Sequence, residues 1–289
     1  YKFLTNEGLS STASLFYSIS VGILAYPSVG VPFSDHHSLI FSIISIYFFI
    51  FSLQKNSKLF LFLTMLFLVI AFLSKQIPAA FFIILVSFYL LYFLIKKKNY
   101  NFILNSLIFS LSLLIFLSLF VIITNIGIKN FFIQYINFPL SIGSERAEGL
   151  KVGNFIISLF SEFKFFIFLL SIIFYQTIKV KKNNNIGKPR ILSTGAIFFV
   201  ITFITIVNQE LMKNQNILFF VLPILTGIIH SNIKTNKNKK YFLLSSLLIF
   251  FNFFITFKYH ERFNVDRKFM DLEKVNKTNI TKGSKVSNN

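Results

Sequence analysis

Residues 102–124 read FILNSLIFSLSLLIFLSLFVIIT, 23 residues without one charge, and Lys96, Lys97 and Lys98 stand just ahead of them. At 1.5 Å per residue a helix of that length covers about 35 Å, enough to cross the roughly 30 Å hydrocarbon core of a bilayer. The apolarity runs around the whole helix circumference rather than along one stripe, which is the pattern of a helix bathed in lipid.

Working outward from this segment, the chain contains about nine such stretches, near residues 12–33, 38–53, 59–73, 79–95, 102–124, 155–178, 191–207, 217–231 and 241–257. The fold class they predict is all-α, a polytopic transmembrane helix bundle over 1–257 with a short polar tail, 258–289, outside the membrane. Composition agrees: of 289 residues 54% are hydrophobic and only 13% charged, more apolar surface than a soluble domain of this size hides in one core. The formal charge of +19 invites a nucleic-acid reading, but the basic residues lie in short clusters between apolar runs, so their partner is the membrane surface and not nucleic acid. With no cysteine, disulfides, thiolate metal sites and cysteine nucleophiles are excluded.

The connections provide an independent test of the span count. Connections 54–58, 96–101, 179–190 and 232–240 hold 14 basic residues and no acidic ones. The alternate set, 34–37, 74–78, 125–154 and 208–216, holds five basic and four acidic residues. Under the positive-inside rule the first set faces the cytoplasm and the second the opposite side, as expected for a multi-pass protein of a bacterial inner membrane. By the same parity the tail, with eight basic and four acidic residues, lies outside, and its last part reads as disordered or as the stump of a longer domain.

Polar residues that stand beside or within the hydrocarbon region are costly there, so each is a functional candidate. They gather on the outside connections: Asp35, His36 and His37; Ser74, Lys75 and Gln76 before Pro78; Glu145, Arg146 and Glu148; and Asn208, Gln209 and Glu210. Asp35 with two imidazoles suits a divalent metal or a phosphate, while Asp35 alone suits a helix N-cap for a span starting at Ser38. Lys75 either snorkels to the interface or binds an anion. Arg146 either clamps a phosphate or answers the charges of Glu145 and Glu148. Phe131, Phe132, Tyr135 and Phe138, at near-helical spacing, predict a segment lying flat in the interface and ending at Pro139. His230 and His260 read as incidental.

The segments Pro32-Phe33-Ser34-Asp35-His36-His37-Ser38 and Phe72-Leu73-Ser74-Lys75-Gln76-Ile77-Pro78, with the late Pro223 and an outside tail, resemble the integral-membrane glycosyltransferases of the GT-C type. The branch they are most similar to contains protein O-mannosyltransferases and lipid A aminoarabinose transferases. The resemblance implies an enzyme that takes a sugar from a polyprenyl-phosphate donor in the membrane and passes it to a lipid, glycan or protein acceptor outside. It implies Asp35 as the acidic catalytic residue, and Lys75, Gln76, Arg146, His36, His37 and Glu210 as donor- and acceptor-binding groups, with a divalent metal as a possible cofactor. It also implies a further acidic loop upstream of Tyr1. The competing class is a transporter or flippase of a lipid-linked or anionic solute, which requires polar residues at mid-membrane.

Overall fold

The computed structural model describes residues 1–25, 34–97, 100–124, 127–148, 152–182, 189–212, 218–233 and 239–265. The described residues form helices joined by short turns, with no strand among them. In chain order the helices are α1 (Lys2–Asn6), α2 (Ser11–Leu24), α3 (Ser34–Lys55), α4 (Lys58–Ser74), α5 (Gln76–Lys97), α6 (Tyr100–Ile123) and α7 (Ile128–Phe132). A π-helical turn (Ile133–Asn137) leads into α8 (Phe138–Glu148), followed by α9 (Val152–Ser161), α10 (Lys164–Lys182), α11 (Pro189–Met212), α12 (Val221–Ser231) and α13 (Lys239–Val265).

Among the described residues the expected apolar stretches are largely helical, with a turn at 218–220 ahead of α12, while 26–33 and 217 lie outside the described residues; the helices differ in reach. Four are long and apolar enough to cross a membrane unaided, within Ser34–Lys55, Tyr100–Ile123, Thr194–Leu211 and Tyr241–Glu261, and α9 with α10 adds a fifth if the bent pair is one span. This composition marks a multi-pass membrane protein. Two expectations need correction. The stretch 155–178 is not one straight helix: Glu162 and Phe163 break it, and α9 stands at 86° to α10. Helix α13 runs past 258 to Val265, so the first residues of the polar tail are helical; residues 266–289 lie outside the described residues. Pro139 does not end its segment: helical backbone runs on from the π-helical turn through Pro139 into α8, and the wider turn just ahead of it falls where its ring and missing N–H disturb the helical bonding.

Two groups of helices make up the bundle. In the first, α3 packs against α4 and α5, and α6 lies outermost against α4 and α5. Ser38, Ser42, Ser45, Phe49 and Ser52 recur along α3 at alternating spacings of four and three and are all buried. The small residues of this stripe let the α4 backbone come close, and Ser45 donates to the Thr64 carbonyl across the seam at 3.0 Å. In the second group α12 is the centre, in contact with α1, α2, α10, α11 and α13, and ten of its eleven residues are buried.

The short α1 was not foreseen as an element. It is terminated by Gly8, whose φ of +93° lets Leu9 donate to the Leu4 carbonyl and Gly8 to the Thr5 carbonyl, closing the helix end with paired backbone bonds. Its Phe3 ring stacks on Tyr47 of α3 at 4.5 Å and meets Phe198 of α11 at 5.6 Å, so this one turn of helix joins the two groups.

Candidate functional site at the Asp35 end

The first turn of α3 and the junction of α4 with α5 build the site. α3 begins at Ser34, so Asp35 is not the cap of a helix starting at Ser38 but sits inside the first turn, where the helix dipole favours a negative charge. α4 ends at Ser74 and α5 starts at Gln76, which leaves Lys75 as the single extended residue between them, φ −164° and ψ 139°. In that conformation Lys75 can reach back toward α3. Its Nζ donates to Asp35 Oδ2 at 2.6 Å, and Ser38 Oγ donates to the Lys75 carbonyl at 2.9 Å. A side-chain ion pair and a backbone contact therefore fasten the same two elements. The carboxylate side chain is only 5% exposed whereas that of Lys75 is 30% exposed, so the ammonium has an open side that the carboxylate lacks.

Tyr135, from the π-helical turn, closes the flank. Its single hydroxyl proton is shared between the Phe72 carbonyl, at 3.0 Å, and the Leu73 carbonyl, serving the last turn of α4, whose carbonyls have no helical partner. Phe131 stacks on the Tyr135 ring at 5.0 Å, and burial raises the phenol's pKa above its ordinary value.

The two histidines point apart. His36 is buried with its ring edge-on to Phe220, 5.6 Å between centroids, which brings the start of α12 to the start of α3. His37 is exposed, its ring 6.4 Å from Phe41. Asp35 faces Lys75, His36 faces α12 and His37 faces outward, and the described residues contain no group of three or more His, Asp or Glu arranged to hold a metal ion. Asp35, His36 and His37 therefore do not converge on one divalent metal. Gln76 follows Lys75 and is half-buried. Glu210, on the last turns of α11, accepts from Ser158 of α9 and makes no recorded contact with Asp35 or Lys75. Arg146 falls on α8, which touches α11, and its side chain lies outside the described residues.

No protein-family model, no curated protein and no solved structure matches the chain. Function must be argued from the residues.

A second polar cluster lies deep in the bundle, where α2, α12 and α13 meet. Tyr17 Oη and His230 Nδ1 share a hydrogen bond of 3.1 Å, buried from solvent. Asn252 donates to Ser20 Oγ at 2.8 Å, while Asn252 Oδ1, Ser14 Oγ and Thr256 Oγ1 are buried without a partner among the described residues. His230 thus has a buried hydrogen-bond partner within the bundle. The signal available in sequence was the run Ser14, Tyr17, Ser20 at three-residue spacing on an otherwise apolar helix, but its partners lie more than 200 residues away.

Proposed function

We propose that the protein is a membrane glycosyltransferase that moves a sugar from a polyprenyl-phosphate donor to an acceptor on the outer face of a bacterial inner membrane. The observation that carries this reading is the Asp35–Lys75 pair, an acid and a base in contact at the end of the bundle away from the Lys/Arg-rich connections. An ammonium has three donors and Asp35 takes one, so the exposed side of Lys75 is free to face a phosphate. In the reaction the acceptor hydroxyl gives its proton to Asp35 as its oxygen bonds to the anomeric carbon. The bond from that carbon to the carrier phosphate breaks, and the electron pair leaves on the phosphate, opposite Lys75. Gln76, His36, His37, Glu210 and Arg146 are assigned to the rim. The topology belonging to this reading has about nine crossings and an outside tail; cysteines at Ser141 and Asn184 should react with an impermeant reagent from opposite sides, and labelling from one side refutes it.

A transporter is the second reading, and one specific observation favours it: the Tyr17–His230 and Ser20–Asn252 contacts supply the mid-bundle polar groups that such a protein needs. One experiment separates the two. Proteoliposomes receive a polyprenyl-phosphate sugar, and both glycoside formation and solute flux are followed. The glycosyltransferase reading expects sugar transfer that Asp35→Asn lowers in turnover, and that Lys75→Ala lowers ten- to hundred-fold in donor affinity, the loss of a charge-assisted contact of roughly 1.5–3 kcal/mol. Flux without any new glycoside, abolished in Asn252→Leu, replaces it by the transporter.

A further inference from the structure

The elbow between α9 and α10 places charge at the start of α10. Phe163, buried, turns the chain, and α10 begins at Lys164. Phe163 has no side-chain oxygen to cap α10, so the first-turn N–H groups of this 19-residue helix present their partial positive charge uncapped by the preceding residue. Lys164 Nζ stands 5.8 Å from the centroid of the Phe165 ring, and Lys258 Nζ, from the last turns of α13, stands 5.0 Å from the same centroid. Two ammonium groups thus share one aromatic platform, which itself is held edge-on by Phe251 and Tyr259. Neither lysine forms an ion pair among the described residues, although Glu162 and Glu261 are close in sequence.

Two cations with no anion, set on a ring at a helix N-terminus, leave a negative partner to be supplied from outside the chain. The surroundings say which kind. From Phe165 the seam between α10 and α13 continues through Phe254, Phe251 and Phe168, ring against ring, and Phe168 and Phe254 are exposed along it. A soluble anion gains nothing from such a rim, whereas a lipid has a phosphate for the lysines and acyl chains for the phenylalanines. We propose that Lys164 and Lys258, over Phe165, hold the phosphate of an anionic phospholipid whose acyl chains lie along the α10–α13 seam. The proposal needs the bundle to span a membrane; it does not need the glycosyltransferase reading.

The test is native mass spectrometry of the full chain released from detergent after incubation with phosphatidylglycerol, with diacylglycerol of the same chains, or with inorganic phosphate. A lysine near an anionic lipid surface is worth about 1 kcal/mol, or about five-fold, so Lys164→Gln with Lys258→Gln should weaken the tightest phosphatidylglycerol adduct roughly thirty-fold. The charge-preserving Lys164→Arg with Lys258→Arg should retain it, which separates loss of the cations from damage to the fold. Diacylglycerol should not occupy the site, and inorganic phosphate should not displace phosphatidylglycerol. Equal phosphatidylglycerol retention by wild type and the double Gln variant overturns the proposal, and so does equal retention by wild type of diacylglycerol or displacement by inorganic phosphate.

Discussion

Removing either partner of the Asp35–Lys75 pair should have unequal consequences, because the two groups are unequally exposed. The carboxylate side chain is 5% exposed and that of the lysine 30%. Lys75→Met leaves a carboxylate without its cation in a place water scarcely reaches, retaining only the α3 dipole, which is worth about 0.3–1 kcal/mol. Deleting one partner of a fully buried pair costs about 3–5 kcal/mol, and the open side of Lys75 sets this case at the lower end, about 3 kcal/mol. Asp35→Asn leaves an ammonium that can swing into the interface on its flexible stem, and should cost about 1 kcal/mol. The double variant Asp35→Asn/Lys75→Met removes the stranded charge and should return close to the Asp35→Asn value, a coupling of about 3 kcal/mol. Unfolding of the four proteins by graded denaturing detergent in mixed micelles measures all three differences. If Asp35→Asn is the costlier single change, or if the double variant is simply the sum of the two, the carboxylate does not depend on Lys75 and the reasoning fails.

Tyr135→Phe should cost about 1–2 kcal/mol, since the Phe72 and Leu73 carbonyls lose their donor. Burial raises the Tyr135 pKa, so the folded state favours the neutral phenol: its contribution is full below the unfolded value of about 10 and is lost as pH rises through the folded value. Alkaline titration of stability should therefore be steeper in wild type than in Tyr135→Phe, and identical slopes refute this. Gly227 is where α1 presses on α12: a Cβ built there lies 2.9 Å from Leu4 Cδ1 and 3.4 Å from Tyr17 Cγ. Gly227→Ala should cost about 1 kcal/mol by overpacking, and Leu4→Ala in the same background should relieve part of it; additive losses in the double variant count against the contact.

The helices were legible because lipid imposes a simple rule on them: every crossing segment must be apolar and must satisfy its own backbone. Lys75 was legible as an oddity, being a cation between an apolar run and a proline, and the pairing with Asp35 follows once α3 and α4 form a hairpin that brings the end of α4 back to the start of α3. The elbow at 162–163 was missed although Glu162 and Lys164 interrupt the run, since hydropathy averages over two charges in twenty residues. The divergence of His36 and His37 depends on where α3 starts, and a start four residues earlier than Ser38 changes which imidazole faces α12. Tyr17 and His230 could not be paired in advance, because nothing local to either residue names the other. Helix α1 was hidden by its brevity: its one turn has meaning only in the gap between Tyr47 and Phe198.

Helix α12 bears on how the protein is made. Eleven residues rise about 16 Å, half the depth of a bilayer, so this segment needs its neighbours to take its place in lipid. Its lower end is served by neighbours: Gln176 donates to the Ile229 carbonyl, and Asn232 donates to Gln176. All but one of the helices surrounding it, α1, α2, α10 and α11, are synthesised earlier, and only α13 comes after. The insertion machinery therefore meets α12 with its slot already formed by chain that precedes it, and α13 closes that slot last.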